Sequence, residues 1–515
     1  MPTQRQSPNG PAKATVTLRF KHGGGDPGEY TFDERSTCVV GRGEDCTLRL
    51  PNDEVHRSVS RHHCMLDINP PAVSIRDFDS RNGTFVNGER IGQRDCAPGP
   101  APEPHQGPGH TAHTAQQDRD LRDGDEVRLG RSVAFEVVVT VPTPPPAHST
   151  VEIATGTGEE TLSAPPGCAR CGREVSREVG TWDGEAQYLC AACRASPGEV
   201  ATLLVSLARA GGNDDLRAIA EYTLHGELGR GGMGAVYLAR HATTGRQVAL
   251  KLMLPRSAAN ADARARFQRE VRLTRMLSHP NIASLYDDGF ADGAFFFTSE
   301  YCEGGSLDKL LERRGGRLPA REAVRYAIEA LEGLDYAHCK GVVHRDLSPS
   351  NILLARRPGL TATADDDRPG YDDRPQPDDR PPYLAKVADF GLAKAFDRAG
   401  LSGLTRSGTT AGKPWYLSRQ QVLNFKDASY DVDVWALAAC LYRALTGSYV
   451  REFPPDVDQW HVILYSDAVP IRQRDANVPR ALAEVVDRAL REHPRIGFST
   501  AAELREELRR AWPSI

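Results

Sequence analysis

One ordered series of motifs constrains the fold of this chain more than any other feature. It begins with a glycine-rich run, continues with charged residues at long spacings and ends in an Asp-Phe-Gly triplet. Its members are Gly229-Arg230-Gly231-Gly232-Met233-Gly234, Val248-Ala249-Leu250-Lys251, Glu270, His344-Arg345-Asp346-Leu347, Asn351 and Asp389-Phe390-Gly391. Glycines have no Cβ, so their backbone can approach phosphate groups closely. A glycine-rich loop alone is weak evidence for any one protein family, but the complete series in this order is specific to a single family.

The series resembles the motif set of the Hanks-type (eukaryotic-like) protein kinases, and its glycine-rich run is similar to that of the bacterial serine/threonine branch. The resemblance covers residues 221–513 and implies a two-lobed α+β fold. It also implies ATP as the phosphate donor and Mg²⁺ or Mn²⁺ as the metal. In that family the protein mainly positions the nucleotide, the metal and a substrate hydroxyl.

The resemblance implies a role for each of five polar residues. Lys251 would pair with the α- and β-phosphates of ATP, and Glu270 would hold Lys251 in place. Asp389 and Asn351 would bind the metal, and Asp346 would orient the substrate hydroxyl and accept its proton. The positions that surround the nucleotide in the family correspond here to Leu228, Gly229, Gly231, Gly234, Val236, Ala249, Lys251, Glu300 and Cys302.

Two residues near the expected adenine site predict the size of the back pocket and the chemical state of a thiol. Ser299 stands at the gatekeeper position, where its small side chain implies a larger back pocket than a methionine would leave. We interpret Cys302 as a neutral hinge residue rather than a redox sensor, because no flanking base is present to lower the pKa of its thiol.

Several positions depart from the family's pattern. Ser348 replaces a lysine that neutralises the transferring phosphate, and Lys413 and Arg419 are candidates to supply that charge. The segment Ser418-Arg419-Gln420 replaces Ala-Pro-Glu, so the glutamate of a buried ion pair is absent, and Gly497 stands near the place of its arginine partner. Losing both halves of such a pair leaves no orphan charge, so the fold should tolerate the change.

These departures leave a second interpretation open, namely a catalytically impaired scaffold that binds ATP and phosphoproteins. Ser348 and the altered segment favour it, whereas the intact Asp346, Asn351 and Asp389 oppose it more strongly. We therefore expect an active serine/threonine kinase, a transferase of bacterial phospho-signalling, with protein substrates.

The N-terminal part of the chain has a different pattern. Residues 15–140 alternate short apolar runs with Gly, Asn, Asp and Pro, which is typical of an all-β sandwich, and the Pro- and Gly-rich run 97–110 predicts a surface loop. Its motifs resemble those of a forkhead-associated (FHA) domain, which implies phosphothreonine binding. They are Val40-Gly41-Arg42, Ser60-Arg61-His62-His63, Arg81-Asn82-Gly83-Thr84 and Asn87-Gly88.

The FHA resemblance also implies which residues contact the ligand. Arg42 would meet the phosphate, with Ser60 adding a hydroxyl and Arg61 a second cation. Asn82 would hold the peptide backbone, with Arg81 beside it. Charge-assisted bonds to a phosphate are strong, so a few residues suffice. His63 is expected to brace the loop rather than to contact the ligand.

A compact group of cysteines predicts a metal site. Cys168, Cys171, Cys190 and Cys193 form a C-x2-C-x18-C-x2-C pattern, and two such knuckles bring four thiolates into the tetrahedron of structural Zn²⁺. The surrounding zinc ribbon is too short to fold by burial alone, so metal would supply its stability. Trp182 and Tyr188 are expected to cap its small core.

The sequence leaves two alternatives to structural zinc open for these cysteines. A pair of disulfides is disfavoured by a reducing compartment, and a redox-switched zinc site is a further option. A zinc ribbon that binds nucleic acid would need a local basic patch, which the sequence lacks.

Length, charge and hydropathy limit the number of domains, the classes of partner and the location of the protein. The chain has 515 residues, enough for several domains, and its formal charge of −5 gives no basic field that would attract nucleic acid. Mean hydropathy is −0.47, and neither a long apolar run nor a signal-peptide core is present, so we expect a cytoplasmic protein without a membrane partner. The predicted organisation is an FHA domain at 15–140, a linker at 141–166, a zinc ribbon at 167–195, a helical linker at 196–220 and a kinase domain at 221–513, with a disordered Asp-Asp-Arg-Pro insertion at 355–383.

The two recognised domains suggest a regulatory link. Arg345 precedes Asp346, and family members with that arginine are commonly activated when a phosphorylated loop pairs with it. The expected autophosphorylation sites are Thr405, Thr409 and Thr410. The same phosphothreonine could dock on the FHA domain of its own or a neighbouring molecule, giving self-association; collection of other phosphorylated proteins is the alternative role.

Overall fold

The computed structural model divides the chain into two compact units, the first mainly before and the second mainly after residue 165. The described residues are 14–21, 28–33, 36–78, 80–92, 119–141, 167–175, 188–210, 219–231, 234–255, 261–357, 382–392, 413–423, 429–454, 457–493 and 496–515.

Strands are the main regular elements in the described part of the first unit, with one short 3-10 helix at His56–Ser58. The strands are β1 (Thr15–Lys21), β2 (Glu29–Phe32), β3 (Ser36–Gly41), β4 (Leu48–Arg49), β5 (Cys64–Asn69), β6 (Ala72–Asp77), β7 (Thr84–Val86), β8 (Glu89–Gly92), β9 (Arg119–Leu121), β10 (Glu126–Leu129) and β11 (Val133–Thr140). One sheet has the order β2-β1-β11-β10-β7-β8 and the other β4-β3-β5-β6-β9.

The core of the first unit follows from the two-residue period of its strands. In β1 the side chains of Val16, Leu18 and Phe20 are buried, and Leu18 and Phe20 pair with Val137 and Phe135 of β11. Apolar side chains of both sheets join in a single buried cluster. The prediction of an all-β sandwich is confirmed.

The second unit begins with the segment that was predicted as a zinc ribbon and a helical linker. Its described elements are α1 (Ala191–Arg194) and α2 (Pro197–Ala210). The prediction that 196–220 is a helical linker is wrong in one respect. Helix α2 buries Val200, Ala201 and Leu204 in an apolar cluster that also contains strands further along the chain, so it is part of a folded core.

Five antiparallel strands form the sheet of the second unit. They are β12 (Tyr222–Gly231), β13 (Gly234–His241), β14 (Gln247–Met253), β15 (Leu285–Ala291) and β16 (Ala294–Glu300), in the order β12-β13-β14-β16-β15. Helix α3 (Ala261–Arg275) interrupts the strand sequence and packs on the sheet through Phe267 and Val271.

Helices dominate the rest of the second unit. They are α4 (Leu307–Arg313), α5 (Ala320–Cys339), α6 (Arg419–Leu423), α7 (Asp431–Thr446), α8 (Gln459–Tyr465), α9 (Ile471–Arg474), α10 (Arg480–Ala489) and α11 (Ala501–Ala511). The central helix, α7, is buried along almost its whole length and ends at Gly447, whose φ of 72° is the left-handed conformation that glycine adopts easily. The predicted α+β character in two parts, one rich in strands and one in helices, is confirmed.

A two-stranded ribbon fixes the ends of the predicted insertion. Strands β17 (Ile352–Arg356) and β18 (Tyr383–Val387) pair with each other. The boundaries 355–383 are therefore too wide, since Ala355, Arg356 and Tyr383 belong to the paired strands. The Asp-Asp-Arg-Pro repeat between them, the 141–166 linker apart from Val141, and Trp182 lie outside the described residues.

No helix in the described ranges combines the length and the apolar composition that a membrane crossing requires.

Candidate functional site

The sheet of the second unit turns one face toward the predicted nucleotide site. Val236, Ala249 and Lys251 are half-buried and share that face, whereas their neighbours along the strands are buried on the other. Leu228 lies on the preceding strand and is also half-buried. The predicted nucleotide residues of β12, β13 and β14 thus lie on one hairpin and its neighbouring strand.

The glycines of this hairpin are needed for two different structural reasons. A Cβ at Gly229 or Gly231 would meet nothing within 4 Å, so these positions border open space that a phosphate could enter. Gly234 has a φ of +152°, and a Cβ there would lie 1.8 Å from the carbonyl oxygen of Leu252. Gly234 is therefore required by the close approach of two strands, a reason that the sequence analysis did not identify.

Two of the predicted catalytic residues are in direct contact. The Lys251 Nζ atom donates a hydrogen bond to Asp389 Oδ2 at 2.6 Å, and both side chains are partly exposed. Asp389 has a φ of 61°, an uncommon conformation for a residue with a side chain. Glu270 lies on α3, and its side chain is outside the described residues. A cation and a carboxylate from distant segments are thus brought together, although the prediction gave Lys251 a different carboxylate partner, Glu270.

The loop before β17 brings the next two residues to the same place. Asn351 Nδ2 donates to the carbonyl oxygen of Asp346 at 2.7 Å, so the two predicted residues form one closed turn. The Ala388 N–H donates to the carbonyl oxygen of Asn351 at 2.9 Å, which attaches that turn to the residue directly before Asp389. The His344 imidazole lies 2.8 Å from the Ala388 carbonyl oxygen and is fully buried.

A buried carboxylate that the sequence analysis missed holds this loop. Asp433 on α7 accepts hydrogen bonds from the backbone N–H groups of His344 and Arg345, each at 2.7 Å, and contacts His338 Nε2 at 2.9 Å. It is buried between Val432 and Val434, at the start of the apolar part of the helix. The signal was available, because a lone aspartate in a buried apolar run must have hydrogen-bond partners.

The predicted replacements for the missing lysine at Ser348 differ in their surroundings. Arg419 contacts the carbonyl oxygen of Ile463 and, at 3.5 Å, Asp467, and its side chain is almost fully buried, so the suggestion that Arg419 supplies the charge is wrong. Lys413 forms an ion pair with Asp308 at 2.9 Å. This pair is half-exposed and therefore weak, so Lys413 stays a candidate.

A buried ion pair stands where the sequence predicted none. Arg451, fully buried, pairs with Glu492, and Glu492 also accepts a hydrogen bond from the Arg419 N–H at 2.6 Å. Arg451 Nη1 donates to the carbonyl oxygen of Leu417 at 3.2 Å. Gln420 and Gly497 lack the charges of the family's pair, as the sequence showed, but a different buried pair that the sequence analysis did not identify stands beside the altered segment.

The hinge residues have clear environments. The Glu300 carboxylate lies 3.0 Å from Lys386 Nζ, and its backbone N–H donates to the carbonyl oxygen of Ser284. Burial raises the pKa of the Cys302 thiol to about 12, so the thiol stays protonated at neutral pH. This raised pKa supports the interpretation of Cys302 as a neutral residue, and its place in the nucleotide hinge stays a prediction. Ser299 pairs with Ala249 across the sheet.

In the first unit the predicted phosphate-contacting residues gather on neighbouring loops. Arg42 Nε donates to the carbonyl oxygen of Val59 at 2.6 Å, and the Arg42 backbone N–H donates to that of Ser60. The Ser60 hydroxyl accepts a hydrogen bond from the Arg81 N–H at 3.0 Å. Arg61 is exposed beside them.

Two further side chains of these loops hold the backbone. Asn82 Nδ2 donates to the carbonyl oxygen of Ser58 at 2.7 Å. His63 is fully buried, with Nδ1 accepting from the Ser60 N–H at 3.0 Å and Nε2 lying 3.2 Å from the Gly83 carbonyl oxygen. Both imidazole nitrogens are thus occupied by backbone groups, and the prediction that His63 braces the loop is confirmed.

The four cysteines of the knuckle pattern converge in the second unit. Their sulfur atoms all lie within 4.8 Å of one another, and all four are free thiols. The Cys190 N–H donates to Cys168 Sγ at 3.3 Å. Burial acts to raise the pKa of Cys168, but donation from backbone N–H groups outweighs it and lowers that pKa to about 6. Tyr188 is buried beside them, as predicted.

The predicted autophosphorylation sites Thr405, Thr409 and Thr410 lie outside the described residues. Nothing in the described geometry therefore bears on them.

Comparison with known proteins gives two family matches. A family model described as a protein kinase domain matches residues 222–503, and an FHA domain model matches residues 38–99. The serine/threonine-protein kinase PknD of Mycobacterium tuberculosis is 35% identical over 289 residues, which are 55% of this chain and 38% of PknD. The serine/threonine-protein kinase PknB of Mycobacterium leprae is 30% identical over 295 residues, 56% of this chain and 42% of PknB.

The chain thus spans about two fifths of the length of these curated relatives. Among solved structures, a double mutant of the M. tuberculosis PknI kinase domain aligns with 24% identity and a TM-score of 0.42, covering 56% of this chain and 95% of that one.

Proposed function

Because the chain belongs to the protein kinase family, we propose that it is an ATP-dependent serine/threonine protein kinase of bacterial phospho-signalling whose N-terminal FHA domain binds phosphothreonine proteins. One observation carries the enzymatic part. Lys251, Asp346, Asn351 and Asp389 come from segments far apart in the chain and meet through the Lys251–Asp389 pair and the Asp346–Asn351–Ala388 hydrogen bonds.

The residues fit a nucleotide and its metal. Open space beside Gly229 and Gly231 suits phosphates, and the Asp389 carboxylate and the Asn351 amide are oxygen donors of the kind that Mg²⁺ or Mn²⁺ prefers. Such a metal, held by these two residues, would neutralise charge on the phosphates. Lys251 would bind the α- and β-phosphates after exchanging its present partner, Asp389.

The remaining roles concern the proton and the scaffold. Asp346 would accept the proton of the substrate hydroxyl, with its backbone held by Asn351 and its loop held by Asp433. Glu270 would stabilise the phosphate-bound position of Lys251. Leu228, Val236, Ala249 and the hinge residues Glu300 and Cys302 would surround adenine.

The test is phosphate transfer from labelled ATP by the purified full chain with magnesium, beside the Asp346→Asn variant. We expect the wild type to label itself or a generic protein substrate and the variant to lose at least about 100-fold of that rate. Equal labelling by both proteins would contradict the assignment. Mass spectrometry of the labelled protein would test Thr405, Thr409 and Thr410 as the sites.

A second candidate function is favoured by one observation, the buried Ser348, whose hydroxyl contacts Ser350 where the family carries a lysine. In this alternative the chain binds ATP and phosphoproteins as a scaffold. Nucleotide binding with normal affinity but no transfer to any substrate would support the scaffold and exclude the enzyme.

The phosphothreonine site is proposed at Arg42, Ser60, Arg61, Arg81 and Asn82. Arg61 and Arg81 are exposed and Arg42 is half-buried, so cations on neighbouring loops can meet a dianion. A phosphothreonine peptide of the loop sequence around Thr405–Thr410 should bind the full chain, and Arg42→Ala should weaken that binding. Equal binding of the peptide by the wild type and by Arg42→Ala would refute this site and, with it, self-association through the loop.

We also propose that the four cysteines hold one structural Zn²⁺. Support comes from four free thiols within 4.8 Å of one another and from the Cys190 N–H bond to Cys168 Sγ, because such N–H donors stabilise thiolate ligands. Elemental analysis after reduced, chelator-free purification should find about one zinc per chain. A metal-free protein with intact fold would refute the site.

The proposed organisation keeps the FHA domain at 15–140, the zinc ribbon at 167–195 and the kinase domain at 221–513, in a protein of the cytoplasm. Fractionation of cells that produce the native protein tests the location.

A further inference from the structure

The sheet of the second unit has two faces with different roles. Val236, Ala249 and Lys251 lie on the face of the proposed nucleotide site. Because side chains alternate along a strand, their neighbours point to the opposite face. Those neighbours are buried: Ala235, Tyr237, Ala239, Val248, Leu250 and Leu252. Something must cover that opposite face.

The cover is the segment that carries the four cysteines. Helix α2 presents an apolar stripe at helical spacing, and this stripe shares one buried cluster with the sheet face. The stripe consists of Val200, Ala201, Leu204, Val205 and Ala208. Tyr188, Leu189, Cys168, Cys190 and Cys193 belong to the same cluster. We call residues 167–175 and 188–210 together the cysteine module.

Close contacts tie the module to the sheet at several places. A Cβ at Gly293, in the turn between β15 and β16, would lie 3.4 Å from both Leu189 and Tyr188, so this turn and the module lie in close contact there. At the other end, Arg209 Nη2 donates to the carbonyl oxygen of Tyr222 at 3.0 Å. The module is therefore packed on the sheet along its length.

One contact joins the module to the glycine-rich hairpin itself. Arg230 lies between Gly229 and Gly231, and its Nη1 donates to the carbonyl oxygen of Ala195 at 3.4 Å. Ala195 follows the metal-ligand candidate Cys193 by two residues. Glu227 holds the same guanidinium through Nε at 3.1 Å and Nη2 at 2.8 Å, so Arg230 is oriented from within the hairpin.

The hairpin is held from its other side by a different element. The carbonyl oxygen of Leu228 accepts a hydrogen bond from Lys309 Nζ of α4 at 2.8 Å. Leu228 and Arg230 are two residues apart on one strand, so this strand is held at two points, through the backbone carbonyl of Leu228 and through the side chain of Arg230. One of these points belongs to the cysteine module.

We infer that Arg230 is a positioning residue for the nucleotide, and that it links metal occupancy of the cysteine module to nucleotide affinity. This inference rests on the proposed nucleotide and zinc sites. With the metal bound, Ala195 is in place to accept from Arg230, and the glycine-rich hairpin keeps the position that closes over the phosphates. Without the metal, the Ala195 end of the module loses its anchor and the hairpin loses one of its two fixed points.

The first test uses variants that leave every cysteine intact. In the full chain with magnesium, Arg230→Ala should raise the Kd for a fluorescent ATP analogue and the KM for ATP about two- to fivefold, the effect of one partly exposed hydrogen bond, with kcat unchanged. Arg230→Lys should restore most of the affinity, since its amine can donate to Ala195. The matched control is Arg240→Ala, whose exposed guanidinium donates to the carbonyl oxygen of Gly245 in the adjacent turn.

The second test removes the metal with a chelator, which is then dialysed away while magnesium is restored. We expect the Kd of the wild type to rise at least as much as that of Arg230→Ala, and Arg230→Ala to add no further change in the metal-free protein. Additive effects of metal removal and Arg230→Ala would overturn the inference, as would an unchanged Kd after metal loss verified by elemental analysis.

The outcomes of these experiments distinguish failure of this inference from failure of the proposed zinc and nucleotide sites. Absence of any zinc in the purified protein refutes the zinc site, and with it the link to metal. Binding of the ATP analogue is measurable without phosphate transfer, so an inactive scaffold would still report the Arg230 effect. Equal Kd values for wild type, Arg230→Ala and Arg240→Ala would show that Arg230 does not position the nucleotide.

Discussion

The buried pair between Arg451 and Glu492 allows the sharpest stability prediction. Their side chains are 0% and 5% exposed, and the guanidinium also donates to the carbonyl oxygens of Leu417 and Ser466. The same guanidinium lies 4.9 Å from the centre of the Trp435 ring. Replacing Arg451 by methionine keeps much of the side-chain volume but leaves the Glu492 carboxylate buried without its charge partner.

The magnitude follows from that desolvated charge. Breaking one half of a buried pair costs about 3–5 kcal/mol in the free energy of unfolding, whereas removing both charges costs much less. For a unit as large as the second one, a loss of that order lowers the Tm by roughly 4–7 °C. We therefore expect Arg451→Met to destabilise strongly, and Arg451→Met combined with Glu492→Gln to recover a substantial part of the loss.

Differential scanning calorimetry and urea unfolding of the full chain would measure these effects. The matched control is Arg480→Met, because Arg480 and Glu484 form a 3.0 Å pair that is 86% and 67% exposed. Exposed pairs contribute roughly 0–1 kcal/mol, so the control should stay near wild type. If Arg451→Met costs no more than Arg480→Met, or if the double variant is less stable than the single one, the charge argument is wrong.

Three further predictions follow from the sites described above. Lys251→Met and Asp389→Asn should each lower kcat/KM for phosphate transfer about 100- to 1000-fold without changing the Tm by more than a few degrees, and retained transfer in either would contradict the proposed roles. Asp433→Asn should cost about 2–3 kcal/mol in urea unfolding and lower kcat, because one amide oxygen cannot replace a carboxylate that accepts from two backbone N–H groups. Burial lowers the pKa of His63 although Asp77 opposes the shift, so the unfolded chain binds a proton before the folded one as pH falls below about 6.5. The free energy of unfolding of the first unit, measured by hydrogen exchange, should therefore fall by up to about 1.4 kcal/mol per pH unit below that pH. His63→Gln should remove this pH dependence.

Short motifs were sufficient to predict the fold class and the residues that meet at the site. Lys251, Asp346 and Asp389 are recognisable because each stands in a local pattern with a fixed order along the chain. The sandwich of the first unit could also be predicted from the sequence, because alternation of apolar residues is a local property of each strand. What these predictions share is that neighbours in sequence carry the information.

The features that sequence reasoning missed all depend on distant partners. Asp433 is 89 residues from His344, whose N–H it accepts, and Glu492 is 41 residues from Arg451. Neither residue lies in a motif, so only the fold reveals that each side chain has a partner. The packing of α2 was missed for a related reason: an Ala- and Leu-rich helix predicts an apolar stripe but not the surface that the stripe covers.

The cover over the sheet has a practical consequence for anyone who works with fragments of this protein. The family match begins at residue 222, but the apolar face of Tyr237, Leu250 and Leu252 is buried against residues that precede it. A fragment cut at the family boundary would expose that face to water, where it favours aggregation. The smallest piece that folds and stays in solution should therefore begin near residue 165, ahead of the first knuckle.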